Sequence, residues 1–338
     1  MISCHTFELR KEVKSSEFDH WRNKVKDGKK FDKKDNKDFS LVKNGITVWF
    51  HETTHRRWIK LIVNPSRVLG MDDVVKLWKP DGKNRKQLFD ELDYFYKNYF
   101  NSYYKLNDFI LTRYDLTKNL KLGSHDLVTA YIKFLHNIKK VKGFAPKYSK
   151  NDTPDNYDSD LSFDLKGKTK GVDVTAYDKA AAIKANMENM EFKQKEMAKR
   201  MKLAEGMLRI EVKLVSQESI RKNTGTDDTK KRITKLCKDG EWIFLAYLND
   251  VLPFGDVYKK DKAVEIIEEK VADKNLKKKM LLLIELIPKK KSLYLAKKVM
   301  NDRNIECIMD EFERIQLCPV TISKRQEIKN LKGLRTFF

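Results

Sequence analysis

The hydrophobic positions fall into two regimes along the chain. In the first two thirds, short alternating runs are interleaved with helical spacing. "GITVWF" and "RRWIKLIV" are rich in β-branched and aromatic residues and read as strands, with Asn64-Pro65-Ser66 ending the second. "DELDYFYKNYFNSYY" has helical texture, and "DFILTRYDLTKN" alternates as a strand. Ser124 is a good N-cap for the helix predicted over "HDLVTAYIKFLHNIKK", with Leu127, Tyr131, Phe134 and Leu135 on one face. "SKNDTPDNYDSD" is a loop by composition, and "LSFDLKG" and "GVDVTAYDK" make a hairpin. A long charged helix is predicted up to Gly206, then a strand, "MLRIEVKLV", and a helix from about Ser216.

From about Asp227 the strand signal fades, and every strong segment reads as a helix. Hairpins without regular βαβ alternation predict an α+β fold: an antiparallel sheet with helices packed on one face, followed by a mainly helical C-terminal domain. The expected boundaries are a basic N-terminal segment over 1–40, a catalytic domain over 41–225 and a helical domain over 226–338. The first of these is either a basic arm or an edge strand with solvated flanks. In the last, Thr321 or Ser323 is placed to cap a basic helix, "SKRQEIKNLKGL", as part of a DNA-binding helix-turn-helix that would use Lys324 and Arg325. Helices that brace the catalytic domain or form a homodimer interface fit the same stretch equally well.

His51-Glu52-Thr53-Thr54-His55 matches HExxH. That motif binds zinc because a helix projects its two histidines from one face, with the glutamate beside them as base. Here strand-like sequence flanks it on both sides, and Thr53-Thr54 are β-branched. A turn near 52–56 is expected instead, and the zinc metalloprotease reading loses its basis. Arg56 and Arg57 at this tip are candidate phosphate contacts.

Alternation shows more in three strands. Arg113, Asp115, Thr117 and Asn119 share a face, as do Asp173, Thr175, Tyr177 and Lys179, and Arg209, Glu211 and Lys213. The opposite faces are mostly apolar. A solvated face of an antiparallel sheet has the same pattern. Residue type argues for more, because Asp115 and Asp173 sit mid-strand, where Asp is disfavoured. Carboxylates hold Mg²⁺ or Mn²⁺, the metal polarises a phosphodiester, and a tyrosine attacks phosphorus to give a 5′-phosphotyrosyl link and a free 3′-OH. Lys179, Arg113 or Arg209 would stabilise the phenolate or the phosphate.

Four ordered blocks, "VNPSRVLG", "LTRYDLTKN", "VDVTAYDK" and "LRIEVKL", resemble the phage and plasmid replication initiators of the gene II/X family. Their order is also similar to the Rep_trans initiators of rolling-circle plasmids. The resemblance covers roughly residues 45–220. It implies a metal-dependent nickase that cuts one strand at a replication origin and leaves a primer for host polymerase and helicase. Asp115 and Glu211 match the family's acidic positions, and Tyr177, with Lys179 beside it, is the best nucleophile candidate. Asp173 is a metal candidate from alternation alone. No His-hydrophobic-His pair exists here, so the histidine metal site of the related relaxases is not expected. Tyr114, on an apolar face, and Tyr131, on a helix, are weaker nucleophile candidates among thirteen tyrosines.

Charge agrees with a DNA partner. Of 338 residues, 71 are Lys or Arg against 49 acidic, a formal net charge of +22. Such a surplus favours polyanions, because neutralised phosphates release counterions, although a lysine-rich proteome gives the same number. A basic DNA-binding protein without catalysis shares this composition. Four scattered cysteines form no CxxC and read as free thiols. No signal peptide or membrane span is expected, so the site of action is expected to be the host cytoplasm.

Overall fold

A computed structural model describes residues 1–26, 39–43, 45–71, 75–138, 141–146, 161–167, 170–187 and 194–338. In chain order the main elements begin with β1 (Ser3–Val13), α1 (Ser15–Lys26), β2 (Phe39–Lys43), β3 (Ile46–Glu52), β4 (Arg57–Val63), α2 (Pro65–Val68), α3 (Gly82–Phe100) and β5 (Ile110–Lys121). Then come α4 (His125–Ile138), β6 (Phe144–Pro146), β7 (Ser162–Gly167), β8 (Val172–Asp178), α5 (Lys179–Met187), α6 (Gln194–Ala204), β9 (Met207–Leu214) and α7 (Gln217–Thr224). The chain ends with α8 (Thr229–Val251), β10 (Val257–Tyr258), α9 (Lys260–Lys270), α10 (Lys274–Lys290), α11 (Leu293–Met300), α12 (Ile305–Arg314) and β11 (Asn330–Leu331). The α+β expectation holds: among the described residues nine strands belong to one sheet, and the C-terminal third is mainly helical.

The chain folds into two compact units, Met1–Lys118 with Val212–Phe244, and Asn119–Glu211 with Leu245–Phe338. β5, β9 and α8 contribute residues to both. In the first unit the strand order is β2-β3-β4-β1-β5, all antiparallel. β1 therefore lies inside the sheet, between β4 and β5, and is neither an arm nor an edge strand. Its sequence "FELRKEV" alternates: Phe7, Leu9 and Val13 are buried, and Glu8 and Arg10 face the other way. The dense lysines that follow mask this alternation in a compositional reading. Trp78 holds β1 in place. Its indole donates to Cys4 O at 2.8 Å, and its backbone N–H donates to Ser66 Oγ at 3.1 Å. Asn64 caps α2 by accepting from Arg67 N at 3.2 Å, so "VNPSRV" turns the chain out of β4.

In the second unit β7 and β8 pair with Ser162 opposite Tyr177 and Lys166 opposite Asp173, the predicted hairpin. α4 packs on both strands. Ser124 accepts from Leu127 N at 3.2 Å, and Val128, Tyr131, Ile132, Leu135 and Ile138 are buried. Each such side chain contributes about 1.5–3 kcal/mol. The single helix expected up to Gly206 is instead two, α5 and α6, packed on each other, which one straight helix would not allow. Residues 188–193 between them, and the loop read over 149–160, lie outside the described residues. In the first unit Ser216 caps α7, and Gly225 closes it in the left-handed conformation.

The basic helix expected after Ser323 does not form. Residues 324–325 form a turn and 326–327 a bend, and Asn330–Leu331 pairs with Val257–Tyr258 as β11 on β10. Buried Ile322 and Leu331 pin the segment extended, and Arg335 ties its end to Asn249 O at 2.7 Å. No helix among the described residues is long and apolar enough to cross a membrane.

Candidate active site

In the second unit the candidate residues gather at the end of β8. Asp178 is 1% exposed, and its carboxylate accepts from the backbone N–H of Ala180 and Ala181 at 2.8 and 3.1 Å. It thereby caps α5 and stops the strand. Lys179 is consequently the first residue of α5, not the last polar position of a strand, and its side chain is buried. The other Asp178 oxygen binds His125 Nδ1 at 2.7 Å. Asp178 and His125 were not picked out in the sequence. The signal for Asp178 is present, an aspartate directly before the helical run "KAAAIKA".

One residue before this stop, the Tyr177 hydroxyl donates to Glu211 Oε1 at 2.8 Å. Glu211 is 3% exposed and Arg209, two residues away on β9, is 0% exposed. The Arg209 Nε–H donates to Asn119 Oδ1 at 2.7 Å. The polar face of β9 is thus not a solvated surface. Burying a carboxylate and a guanidinium is costly unless each is held by partners. Burial is the main force raising the Tyr177 pKa far above the ordinary phenol value; the Glu211 charge adds to it, and Arg209 opposes it. The resting phenol is protonated, with a carboxylate placed to receive its proton and a cation placed to stabilise the resulting anion.

Arg113 and Asp115 form a second cluster, in the first unit. Arg113 clamps Asp115 with two parallel bonds, Nε to Oδ1 at 2.7 Å and Nη2 to Oδ2 at 2.6 Å. Its other nitrogen reaches Glu8 at 3.2 Å, and Lys60 approaches the same carboxylate at 3.6 Å. Asp115 is 1% exposed. A bidentate pair of this kind both fixes geometry and offsets the cost of burying the carboxylate. Glu8 was missed because its strand was not recognised.

Asp173 is not brought to Tyr177. It lies four residues up the same strand, about 13 Å along it, and accepts from Gly167 N at 3.3 Å inside the hairpin. HETTH is a hairpin tip, as its flanks predict. Thr53 N–H donates to Arg56 O at 2.8 Å, and His51 stacks on Trp58 with centroids 5.3 Å apart. Arg57 pairs with Glu52 at 2.5 Å, and Arg56 lies 3.9 Å from Glu12. Lys324 and Arg325 are exposed on turns, with Lys324 3.3 Å from Asp261. Tyr114 is fully buried with its hydroxyl on Cys237 Sγ at 3.3 Å, and Tyr131 donates to Lys332 O at 2.8 Å. Among the described residues, no three His, Cys, Asp or Glu side chains converge as a metal cage.

The family of phage replication-associated proteins of the gene II type, in its N-terminal part, matches residues 68–235. Through this segment, just under half of the chain, it is similar to the gene II family. The matched family is one of replication-associated phage proteins, a role that implies DNA as the partner. The matched span contains Arg113, Asp115, Asp173, Tyr177, Lys179, Arg209 and Glu211, and it leaves out HETTH, Arg56, Arg57, Lys324 and Arg325. No curated protein matches the chain.

Proposed function

We propose that this protein nicks and rejoins one DNA strand at a replication origin through a phosphotyrosine at Tyr177. The observation that carries this reading is the buried Tyr177–Glu211 hydrogen bond beside Arg209. As the phenol oxygen attacks phosphorus, Glu211 takes its proton and the P–O3′ bond breaks, and the leaving oxygen takes a proton from solvent to become the 3′-OH. Arg209 stabilises negative charge developing at the phenol oxygen or the phosphate. Lys179, buried at the first turn of α5, is a second cation for that task. The 3′-OH then primes host polymerase, and attack by such a hydroxyl on the phosphotyrosine reverses the step.

Hard cations bind carboxylate oxygens, and Mg²⁺ is often held by only one or two carboxylates plus the substrate phosphate. Glu211 is such a donor, so the absence of a three-ligand cage among the described residues is compatible with this mode. A bound Mg²⁺ or Mn²⁺ would polarise the phosphodiester. One observation favours a rival reading, DNA binding without cleavage: burial strongly disfavours the phenolate.

The two readings separate in one experiment. Supercoiled origin DNA incubated with the protein and Mg²⁺ is expected to give nicked circles and a DNA-linked protein band on denaturing gels. Both should vanish in Tyr177→Phe. Nicking that persists in the mutant removes Tyr177 from its role, and wild-type binding with no nick supports the non-catalytic reading.

A further inference from the structure

Two cavities of the first unit adjoin at one residue, Lys230. The first, about 360 Å³, is lined by Thr224, Gly225, Thr226, Lys230, Lys231, Thr234 and Lys235. Among the described residues its lining is cationic side chains, hydroxyls and a glycine, with no carboxylate. The second, about 400 Å³, includes Lys230, Lys105, Ser102, Tyr104 and Tyr96. Tyr96 is 2% exposed, and its buried hydroxyl has no hydrogen-bond partner among the described residues. Such a group calls for a ligand or water. Ser102 and its neighbour Asn101 both hold positive φ, 57° and 49°, a conformation that L-residues seldom adopt in succession.

Two of the nearby acids are already engaged. Asp228 caps α8 by accepting from Lys231 N at 2.7 Å and also binds Asn107 Nδ2 at 3.0 Å, which ties the two cavities together. Asp227 pairs with Arg232 at 2.5 Å. Among the described residues, Asp93 is the carboxylate that lines the second cavity. Lys231 and Lys235 stand one helical turn apart, about 6 Å. Lys235 donates to Thr224 O at 2.9 Å, and Lys230 sits 5.0 Å over the Phe89 ring. A convex solvated lysine face would need none of this concavity.

We propose that these adjoining cavities form a track for the phosphate backbone of a single DNA strand, with phosphates at Lys105, Lys230 and Lys231 and hydroxyl contacts from Thr226 and Thr234. The proposal rests on the DNA-acting reading but not on Tyr177 chemistry. Backbone contacts of this kind supply affinity and register rather than sequence choice.

The test is fluorescence anisotropy with the full chain and a labelled oligothymidylate across a salt series. The double variant Lys230→Glu with Lys231→Glu should bind at least about tenfold more weakly, and the slope of log K against log salt should flatten by about 1.4, roughly 0.7 for each of two phosphates. Lys230→Arg with Lys231→Arg should keep both values near wild type, and an unchanged thermal midpoint shows that the reversal variant is folded. Tyr177→Phe should bind as wild type, so loss of nicking and loss of the track are separate outcomes. Unchanged affinity and slope in the reversal variant overturn the track. Inorganic phosphate or thymidine monophosphate displacing the strand at equal concentration would also overturn it, assigning a mononucleotide pocket. Weakening confined to duplex DNA would overturn it as well.

Discussion

Replacing Glu211 separates chemistry from packing. Its carboxylate is 3% exposed and accepts the Tyr177 proton at 2.8 Å. Glu211→Gln keeps an amide oxygen in that place, so the phenol retains an acceptor. What is lost is the difference between a charged and a neutral hydrogen bond, about 1–1.5 kcal/mol. Glu211→Ala removes the acceptor altogether, leaves a buried hydroxyl unsatisfied and opens a void, about 2–4 kcal/mol in all. If Glu211 receives the proton in the attack, either change removes a factor of about 10²–10⁴ in rate, or roughly 2.7–5.4 kcal/mol of barrier. The Gln variant should therefore be folded yet catalytically silent. Urea denaturation reads the first quantity, and single-turnover formation of the DNA adduct reads the second. The Tyr177 hydroxyl should also ionise at lower pH in the Gln variant, because one cause of its raised pKa, the Glu211 charge, is gone. Rescue of the Gln variant by higher pH indicates the base role, and rescue by excess Mn²⁺ indicates the metal role. A Gln variant that forms adduct at the wild-type rate refutes both.

Two further outcomes concern the second unit. Gly255 has φ +85°, and a Cβ there would lie 2.5 Å from Leu317 C and 2.7 Å from Cys318 N, so Gly255→Ala should cost at least about 2 kcal/mol by strain and backbone clash, read as a lowered urea midpoint. Burial pushes the Cys318 thiol from 9.0 up to about 12. A raised folded pKa means stability fully present below pH 9 and lost as pH climbs toward 12, about 1.4 kcal/mol by about pH 10. That share of the decline should disappear in Cys318→Ala, and an identical pH profile in the two proteins would contradict it.

The elements that the sequence exposes are those whose signal is local. The hairpin at HETTH, the capped α4 and α7, and the strands β5, β8 and β9 are legible because each carries its cap or its side-chain period in its own residues. What escapes is decided by neighbours. β1 alternates no less clearly than β5, yet the lysines after it suggest a free arm, and only its pairing with both β4 and β5 makes it interior. The "SKRQEIKNLKGL" stretch has helical composition, but Ile322 and Leu331 gain more by burial against β10 than a short solvated helix gains by its own hydrogen bonds. The candidate site shows the same division. Alternation identifies Tyr177, Arg209 and Glu211 as polar strand residues. It cannot tell a wet face from a buried one, because the side-chain period is the same in both. The difference lies in partners from elsewhere in the chain: Asn119 on Arg209, and Asp178 with His125 at the turn that ends β8. Burial turns that polar stripe into a place where a phenol proton is held against a carboxylate. It is also why Lys179, read as the end of a strand, belongs to the helix that Asp178 starts.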